Sequence, residues 1–231
     1  MIPKIIHQTW KSKELPENFS YWSKSFAEIN PGYDHRVYDD NDNLEIVEKY
    51  FPRLVEFYTS LPKEIYRCDF VRAVYMYIFG GIYADMDFHC LRPLDEICKH
   101  DLVFGRMGTD NSFPHSIPNA FMASRPQEIF WLWYIQLMVD TWMDAQRSGQ
   151  NHYPELITGP VVLKKAIDLY KKNHTRITLL PGHVLYPINW NDSLHQMFRS
   201  NMMQEKKIYS TEKMQQLFPS SIAVTYWSHT W

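Results

Sequence analysis

Ile65-Tyr66-Arg67-Cys68-Asp69-Phe70-Val71-Arg72-Ala73-Val74-Tyr75-Met76-Tyr77-Ile78-Phe79-Gly80-Gly81-Ile82-Tyr83-Ala84-Asp85-Met86-Asp87-Phe88 is the stretch that decides the fold. Leu61-Pro62-Lys63-Glu64 precedes it, and a proline near the first turn suits a helix start. Ile65 to Phe79 contains no breaker and reads as that helix. Gly80-Gly81 ends it, because glycine takes the left-handed conformation that terminates a helix and turns the chain back. Ile82 to Phe88 then reads as a strand. Asp85 and Asp87, at i and i+2 of a strand, leave the same face and can meet one ligand. Two carboxylates so placed repel unless a positive charge lies between them. Mg²⁺ or Mn²⁺ that also holds a diphosphate is the economical answer, since such ions take one or two carboxylates plus substrate phosphates. A second Asp-x-Asp, Asp40-Asn41-Asp42, lies in a polar run where helix capping explains it. Neither copy suits a helix-loop-helix calcium site, whose obligatory glycine falls on Cys90 or Glu45.

Asp69 and Arg72 share one face of the helix that feeds the glycine pair. Among Phe70, Val71, Ala73, Val74, Tyr75 and Met76 they are enclosed, and an enclosed arginine needs partners. Either a hydroxyl- and phosphate-bearing ligand or a structural ion pair locking the helix supplies them. Outward from this segment the chain alternates strand and helix, the sign of an α/β fold. Lys4–Thr9 and Tyr33–Tyr38 read as strands, and Leu44–Tyr50 as a helix capped by Asp39 to Asn43. Asp101–Gly105 and Ile177–Leu180 read as strands, Gln127–Met143 and Pro160–Lys172 as helices, and the tail from Ile222 to Trp231 as a strand-like run. Trp10 follows the first strand, at the kind of carboxyl end where open α/β sheets collect ligands.

The chain has 231 residues, 45% hydrophobic and 22% charged, enough for one globular domain with a core. Net charge is −2 and no segment concentrates Lys and Arg, so nucleic acid is not expected as a partner. Three cysteines, Cys68, Cys90 and Cys98, are too few and too irregular for a disulfide framework or a thiolate zinc site, and fit a reducing compartment. No signal peptide is evident and the most apolar stretch falls short of a membrane span, so a soluble or cytoplasmic protein is expected. The 13 Phe, 15 Tyr and 8 Trp serve core packing or flat ligands. Trp131, Trp133, Tyr134, Leu137 and Trp142 recur at near-helical spacing and read as packing.

Ile2-Pro3-Lys4-Ile5-Ile6-His7-Gln8-Thr9-Trp10, Tyr66-Arg67-Cys68-Asp69-Phe70-Val71-Arg72 and Gly80-Gly81-Ile82-Tyr83-Ala84-Asp85-Met86-Asp87 resemble glycosyltransferase family 32, the DXD-motif sugar transferases. That family includes initiating mannosyltransferases and capsular transferases, and the chain is more distantly similar to the glucosylating domain of large clostridial toxins. Asn119-Ala120-Phe121-Met122-Ala123-Ser124, Thr158-Gly159-Pro160 and the Trp-ended tail continue the likeness. The resemblance implies a GT-A fold, Rossmann-like with a mixed central sheet flanked by helices, and retention of anomeric configuration. It implies a single domain over 1–231, with the donor side mainly in 1–125 and the acceptor side and closure mainly in 126–231. Carried over by position, Thr9 and Trp10 bind the nucleotide, Trp10 stacking on the base. Asp69 and Arg72 hold sugar hydroxyls and phosphate, and Tyr83 lines the donor pocket. Asp85 and Asp87 serve metal and diphosphate, His229 is a third metal ligand, and Trp231 closes on the donor. Asn119, Thr158 and Gly159 fall on the acceptor side. Cys68 stands where the family often has Ala, and Thr225 or Tyr226 where it often has His.

The implied reaction moves a hexose from a UDP- or GDP-linked donor to a glycan or glycoconjugate hydroxyl. No single Asp or Glu stands out as a nucleophile, which favours attack on the face the leaving group departs from. Loops 106–118 and 144–157 are the positional candidates for acceptor contact. A non-catalytic carbohydrate-binding module is the competing reading; it accounts for the rings but not for a same-face carboxylate pair after a charged helix. A metal-dependent phosphohydrolase is disfavoured, because His89 follows Phe88 and no nucleophile-first arrangement with a nearby Thr is present.

Overall fold

The six-stranded sheet of the protein is mixed, and the glycine pair sits at its centre. In the computed structural model, residues 1–108, 113–149, 153–174, 176–189, 192–204 and 208–228 are described. Chain order is β1 (Ile5–Thr9), α1 (Glu17–Ile29), β2 (Asp34–Tyr38), α2 (Asp40–Tyr50), α3 (Val55–Ser60), α4 (Glu64–Ile78), β3 (Gly81–Ala84), β4 (Phe88–Cys90), β5 (Leu102–Gly105), β6 (Phe121–Ser124), α5 (Ile129–Ser148), α6 (Pro154–Ile157), α7 (Pro160–Tyr170), β7 (Ile177–Leu180) and, near the carboxyl end, β8 (Ala223–Thr225). The sheet order is β2-β1-β3-β6-β5-β7, and β4 pairs separately with β8. β1 runs parallel to β2 and β3, β6 is antiparallel to β3 and β5, and β5 is parallel to β7. This is the expected mixed sheet with helices on both faces.

α4 packs on one face with α5 and α7, through Phe70, Val74, Tyr75, Phe130, Trp131, Tyr134, Leu163 and Ile167. Phe26 of α1 covers the other face with Ile6, Ile82, Phe88 and Phe121. Trp131 and Tyr134 are fully buried, as the packing reading expects, whereas Trp133 is 45% exposed. The three cysteines are unpaired. Among the described residues no helix is long and apolar enough to cross a membrane.

Gly80 and Gly81 have φ of +61° and +94°. A Cβ at Gly80 would lie 2.5 Å from the Pro126 nitrogen, and one at Gly81 2.6 Å from the Ile5 carbonyl oxygen. Both the turn and the close approach of β1 therefore require glycine. His7 of β1 locks the same corner. Its Nε2 lies 2.8 Å from the Gly80 carbonyl oxygen, which can only accept, so Nε2 carries the proton and Nδ1, 3.0 Å away, accepts from the Tyr38 hydroxyl. The ring stacks against Tyr38, Tyr75 and Phe79.

Two expectations are corrected, and one unassigned stretch gains an element. The strand over Ile82–Phe88 stops at Ala84: residues 85–87 form a turn closed by the Phe88 amide donating to the Asp85 carbonyl at 3.1 Å, so Asp85 and Asp87 are neighbours across a turn rather than along a strand face. Among the described residues the tail is a strand only over Ala223–Thr225, because β4 offers three partners, and Trp227 then takes a φ of +50°. The polar stretch after Trp10 is the 13-residue helix α1, whose apolar face of Phe19, Trp22 and Phe26 is interrupted by polar residues on the other side. Asp39 caps α2 in a full capping box with Asp42, as the polar run suggested.

Burial drives His7 down from 6.5 to about 4, against the smaller upward pull of the Gly80 carbonyl. The unfolded chain therefore takes up this proton before the native state does. Its neutral form costs nothing above pH 6.5, and stability is lost as pH falls from 6.5 toward 4, by on the order of 3 kcal/mol. Urea unfolding across that window should show this slope, and a His7→Asn variant should be less stable at neutral pH but flatter with pH. Gly81→Ala should lower the unfolding free energy by more than about 2 kcal/mol, since it forces both a strained φ and a backbone contact.

Candidate active site

Arg72 is the only Lys or Arg buried among the described residues, 2% exposed, and it sits where two cavities meet. One cavity, about 250 Å³, opens at the carboxyl end of β1 and is lined by Thr9, Trp10, Phe19, Tyr83 and Ser228. The other, about 370 Å³, is lined by Asp69, Asn119, Pro118, Glu155, Pro160 and Trp227. Both share Ile65, Arg72, Asp85 and Asp87. The geometry follows from the sequence locally: α4 delivers Asp69 and Arg72 one turn apart, and the glycine pair folds β3 back so that its end meets them.

The guanidinium bridges two carboxylates. Arg72 Nη2 lies 3.3 Å from Asp85 Oδ1 and 3.4 Å from Asp69 Oδ1. Its Nη1 donates to the Asn119 carbonyl at 3.0 Å and its Nε to the Cys68 carbonyl at 3.3 Å, while its Cζ lies 4.8 Å from the centre of the Tyr83 ring. The Tyr83 hydroxyl donates to Asp85 Oδ1 at 2.7 Å. Asp69 accepts from Asn119 Nδ2 at 2.8 Å on Oδ1 and from Thr158 Oγ1 at 3.0 Å on Oδ2. Burial raises the Asp69 carboxyl, against Arg72, Asn119 and Thr158. Burial likewise pushes Asp85 up to about 7, with Arg72 opposing and the Asp87 charge adding. Three buried carboxylates therefore face one buried guanidinium, which leaves an excess of negative charge at the junction.

Asp87 is held from the far end of the chain. Thr225 Oγ1 donates to its Oδ1 at 3.2 Å, and the Ser228 amide and hydroxyl donate to Oδ2 at 2.7 and 3.0 Å. Gln8 donates to the Asp85 carbonyl at 3.3 Å and fixes the turn from below. Thr9 lines the smaller cavity, but its hydroxyl is engaged by Asn43 at 2.9 Å and the Tyr38 carbonyl at 3.3 Å. Trp10 packs on Phe19 with ring centres 4.6 Å apart, and its buried indole N–H has no hydrogen-bond partner among the described residues. Thr158 and Gly159 lie behind Asp69: Thr158 is fully buried, and a Cβ at Gly159 would come within 3.3 Å of Asp69 Oδ2. Asn119 lines the larger cavity and braces Asp69 at once. His229 and Trp231 lie outside the described residues. Asp40 caps nothing itself, Asp39 being the capping residue, and it lines the smaller cavity.

The sequence did not single out Gln8 or Ser228; it marked Thr225 only as a departure from the family pattern and Glu155 only as part of loop 144–157. Gln8 stands inside the quoted amino-terminal motif. Thr225 and Ser228 are 138 and 141 residues from Asp87, a separation that leaves no local signal.

A family described as the glycosyltransferase sugar-binding region containing the DXD motif matches residues 16–104. Inositol phosphoceramide mannosyltransferase 3 of Schizosaccharomyces pombe is 41% identical over 176 residues, 74% of this chain and 46% of that protein. The initiation-specific alpha-1,6-mannosyltransferase of Candida albicans is 33% identical over 101 residues, 41% of this chain and 26% of its own. The chain thus spans about half or less of the length of these relatives. Among solved structures, the PaToxG glycosyltransferase superposes with a TM-score of 0.58 at 20% identity, over 96% of this chain and 89% of its own. Mouse xyloside xylosyltransferase 1 in its apo form gives 0.52 at 8% identity, over 96% of each chain. These likenesses establish the fold as that of GT-A glycosyltransferases. With the sugar-binding region matched over residues 16–104 and the fold in agreement, the chain is similar to the DXD-motif glycosyltransferases over that region and shares their GT-A fold.

Proposed function

We propose that the chain transfers a hexosyl group from a nucleoside diphosphate sugar, UDP- or GDP-linked, to a hydroxyl of a glycan or glycoconjugate, with retention at the anomeric carbon. The observation that carries this is the junction of two cavities at Arg72, Asp85 and Asp87. A two-part substrate fits such a site: nucleoside in the cavity that Trp10 lines, diphosphate at the junction, sugar and acceptor in the larger cavity. The whole of 1–231 works as a single domain in this reading, with the nucleoside side drawn mainly from residues before 125. The mannosyltransferase names of the relatives favour mannose as the sugar.

The residues at the junction fit a divalent cation, Mn²⁺ or Mg²⁺. A diphosphate cannot sit beside an excess of buried carboxylate without added positive charge, and Asp85 Oδ2 accepts no hydrogen bond from the described residues. No group of three His, Cys, Asp or Glu could hold a metal among the described residues, so the carboxylates would share the ion with donor phosphates and water. Asp85 and Asp87 would hold it, and when bound it neutralises charge on the departing diphosphate. Thr225 and Ser228 fix Asp87, and Gln8 and Tyr83 fix Asp85. Arg72 adds a permanent positive charge at the same point without reorganising, since four protein partners already orient it. Asp69 and Asp87 have both oxygens engaged by protein donors, which makes either a poor nucleophile. Attack on the departing face is favoured accordingly. The bond from the anomeric carbon to phosphate oxygen breaks, the bond to the acceptor oxygen forms, and the acceptor proton passes to the leaving phosphate.

Asp87→Asn should cut Mn²⁺-dependent transfer and donor hydrolysis by about a hundredfold or more while the fold is retained; undiminished turnover in the purified variant would refute the assignment. In thermal shift assays Mn²⁺ with UDP or GDP should stabilise the wild type, whereas a carbohydrate-binding module would ignore the nucleotide. Arg72→Met should cost about 3–5 kcal/mol of unfolding free energy, because it strands Asp69 and Asp85 without their shared partner.

A further inference from the structure

Four charged side chains at the larger cavity, Asp69, Arg72, Asp85 and Asp87, are accounted for by the junction and by partners around it; Glu155 is not. It lines that cavity and is absent from the smaller one. Asp69 and Asp87 have both oxygens bonded to protein donors, and Asp85 has Tyr83 and Arg72 on one oxygen. Glu155 makes no hydrogen bond or ion pair with any described residue, unlike Glu64 and Glu128, which pair with Arg67 and Arg125.

The turn that carries Glu155 is nevertheless fixed. The Pro154 carbonyl accepts from the amides of Thr158 and Gly159, each at 3.0 Å. Thr158 Oγ1 donates to Asp69, and Tyr134 donates to the Thr158 carbonyl at 2.5 Å. A Cβ at Gly159 would stand 2.7 Å from the Glu155 Cα, so the glycine lets the chain close directly over this residue. A rigid turn tied to Asp69 thus holds an unpartnered carboxylate against the cavity. That suits a binding group: the backbone that carries it is already ordered, and no internal partner must be displaced.

Resting on the transfer reading above, we propose that Glu155 is an acceptor-binding residue that accepts hydrogen bonds from two adjacent hydroxyls of an uncharged ring polyol, a pyranose or a cyclitol. An ionised carboxylate only accepts, and its two oxygens match two neighbouring O–H groups. A phosphate at this position would meet Glu155 in addition to the excess of carboxylate at the junction, so the acceptor's contacting ring is neutral. Ile65, Pro118, Pro154 and Pro160 supply apolar lining for its C–H face. The same turn exposes Tyr153 at 63%, a ring of the kind that stacks on saccharides. Glu155 acts on binding and takes no proton in the reaction.

The test compares wild type, Glu155→Gln and Glu155→Ala, each checked by thermal melting for an unchanged fold. Saturation-transfer NMR with methyl α-mannoside and with myo-inositol needs no turnover. Ring-proton saturation is expected in the wild type and loss of it in both variants; equal saturation in the variants, or none in the wild type, overturns the proposal. In turnover, the acceptor KM should rise about tenfold in Glu155→Gln, the loss of one charge-assisted hydrogen bond. The donor KM and donor hydrolysis should stay within about twofold of wild type, since no donor contact is touched. Loss of donor hydrolysis in Glu155→Gln would overturn the proposal by placing the carboxylate on the donor instead. If the wild type cleaves no nucleotide sugar, the transfer reading falls, and the NMR result still decides what Glu155 binds.

Discussion

The buried bridge from Arg72 to Asp69 and Asp85 is the constraint on which the rest of the structure depends. A guanidinium excluded from water has to find acceptors, and here it finds two carboxylates and two backbone carbonyls. Those contacts fasten α4 to the turn after β3 and to the segment that leads into β6. The same contacts define where two cavities join. Fold and site therefore share one set of side chains, and the helix could not be repacked with apolar residues without erasing the junction.

Around that bridge the chain spends its polar residues on positioning. His7 and the glycine pair set the corner at which β3 begins, Gln8 holds the carbonyl of Asp85, and the end of β8 with the segment after it holds Asp87. Asn119 and Thr158 brace Asp69 from opposite sides. The residues around the junction come from five separated stretches of chain, and each arrives on a regular element or on a turn stapled to one. Such a site is pre-ordered before any ligand arrives, which is what electrostatic stabilisation of a departing group requires.

Much of the frame was legible because its signals are local. A breaker-free apolar helix, a glycine pair and a following apolar run are enough to place α4 and β3, and capping chemistry places α2. α1 escaped because polar residues interleave its apolar face, so it resembles a loop at first pass. β6 is four residues long and recognisable only by its neighbours β3 and β5. The strand expected through Phe88 ended early for a reason no local pattern carries: Asp85 Oδ1 meets partners from α4 and β3, both Asp87 oxygens meet donors from the end of β8 and the segment after it, and the chain turns to reach them.

The sequence by itself determined the family likeness, the alternation of strand and helix, and the identity of the charged residues on and after α4, because spacing and residue type are enough to set which side chains share a face. Only the tertiary structure decided that Arg72 serves two carboxylates at once, that Thr225 and Ser228 complete Asp87, that Thr158 and Gly159 stand behind Asp69, and that Glu155 has no partner among the described residues. Hydrogen bonding between buried groups is a matter of distance in space, and residues brought together across 138 positions of chain leave no mark on the intervening sequence.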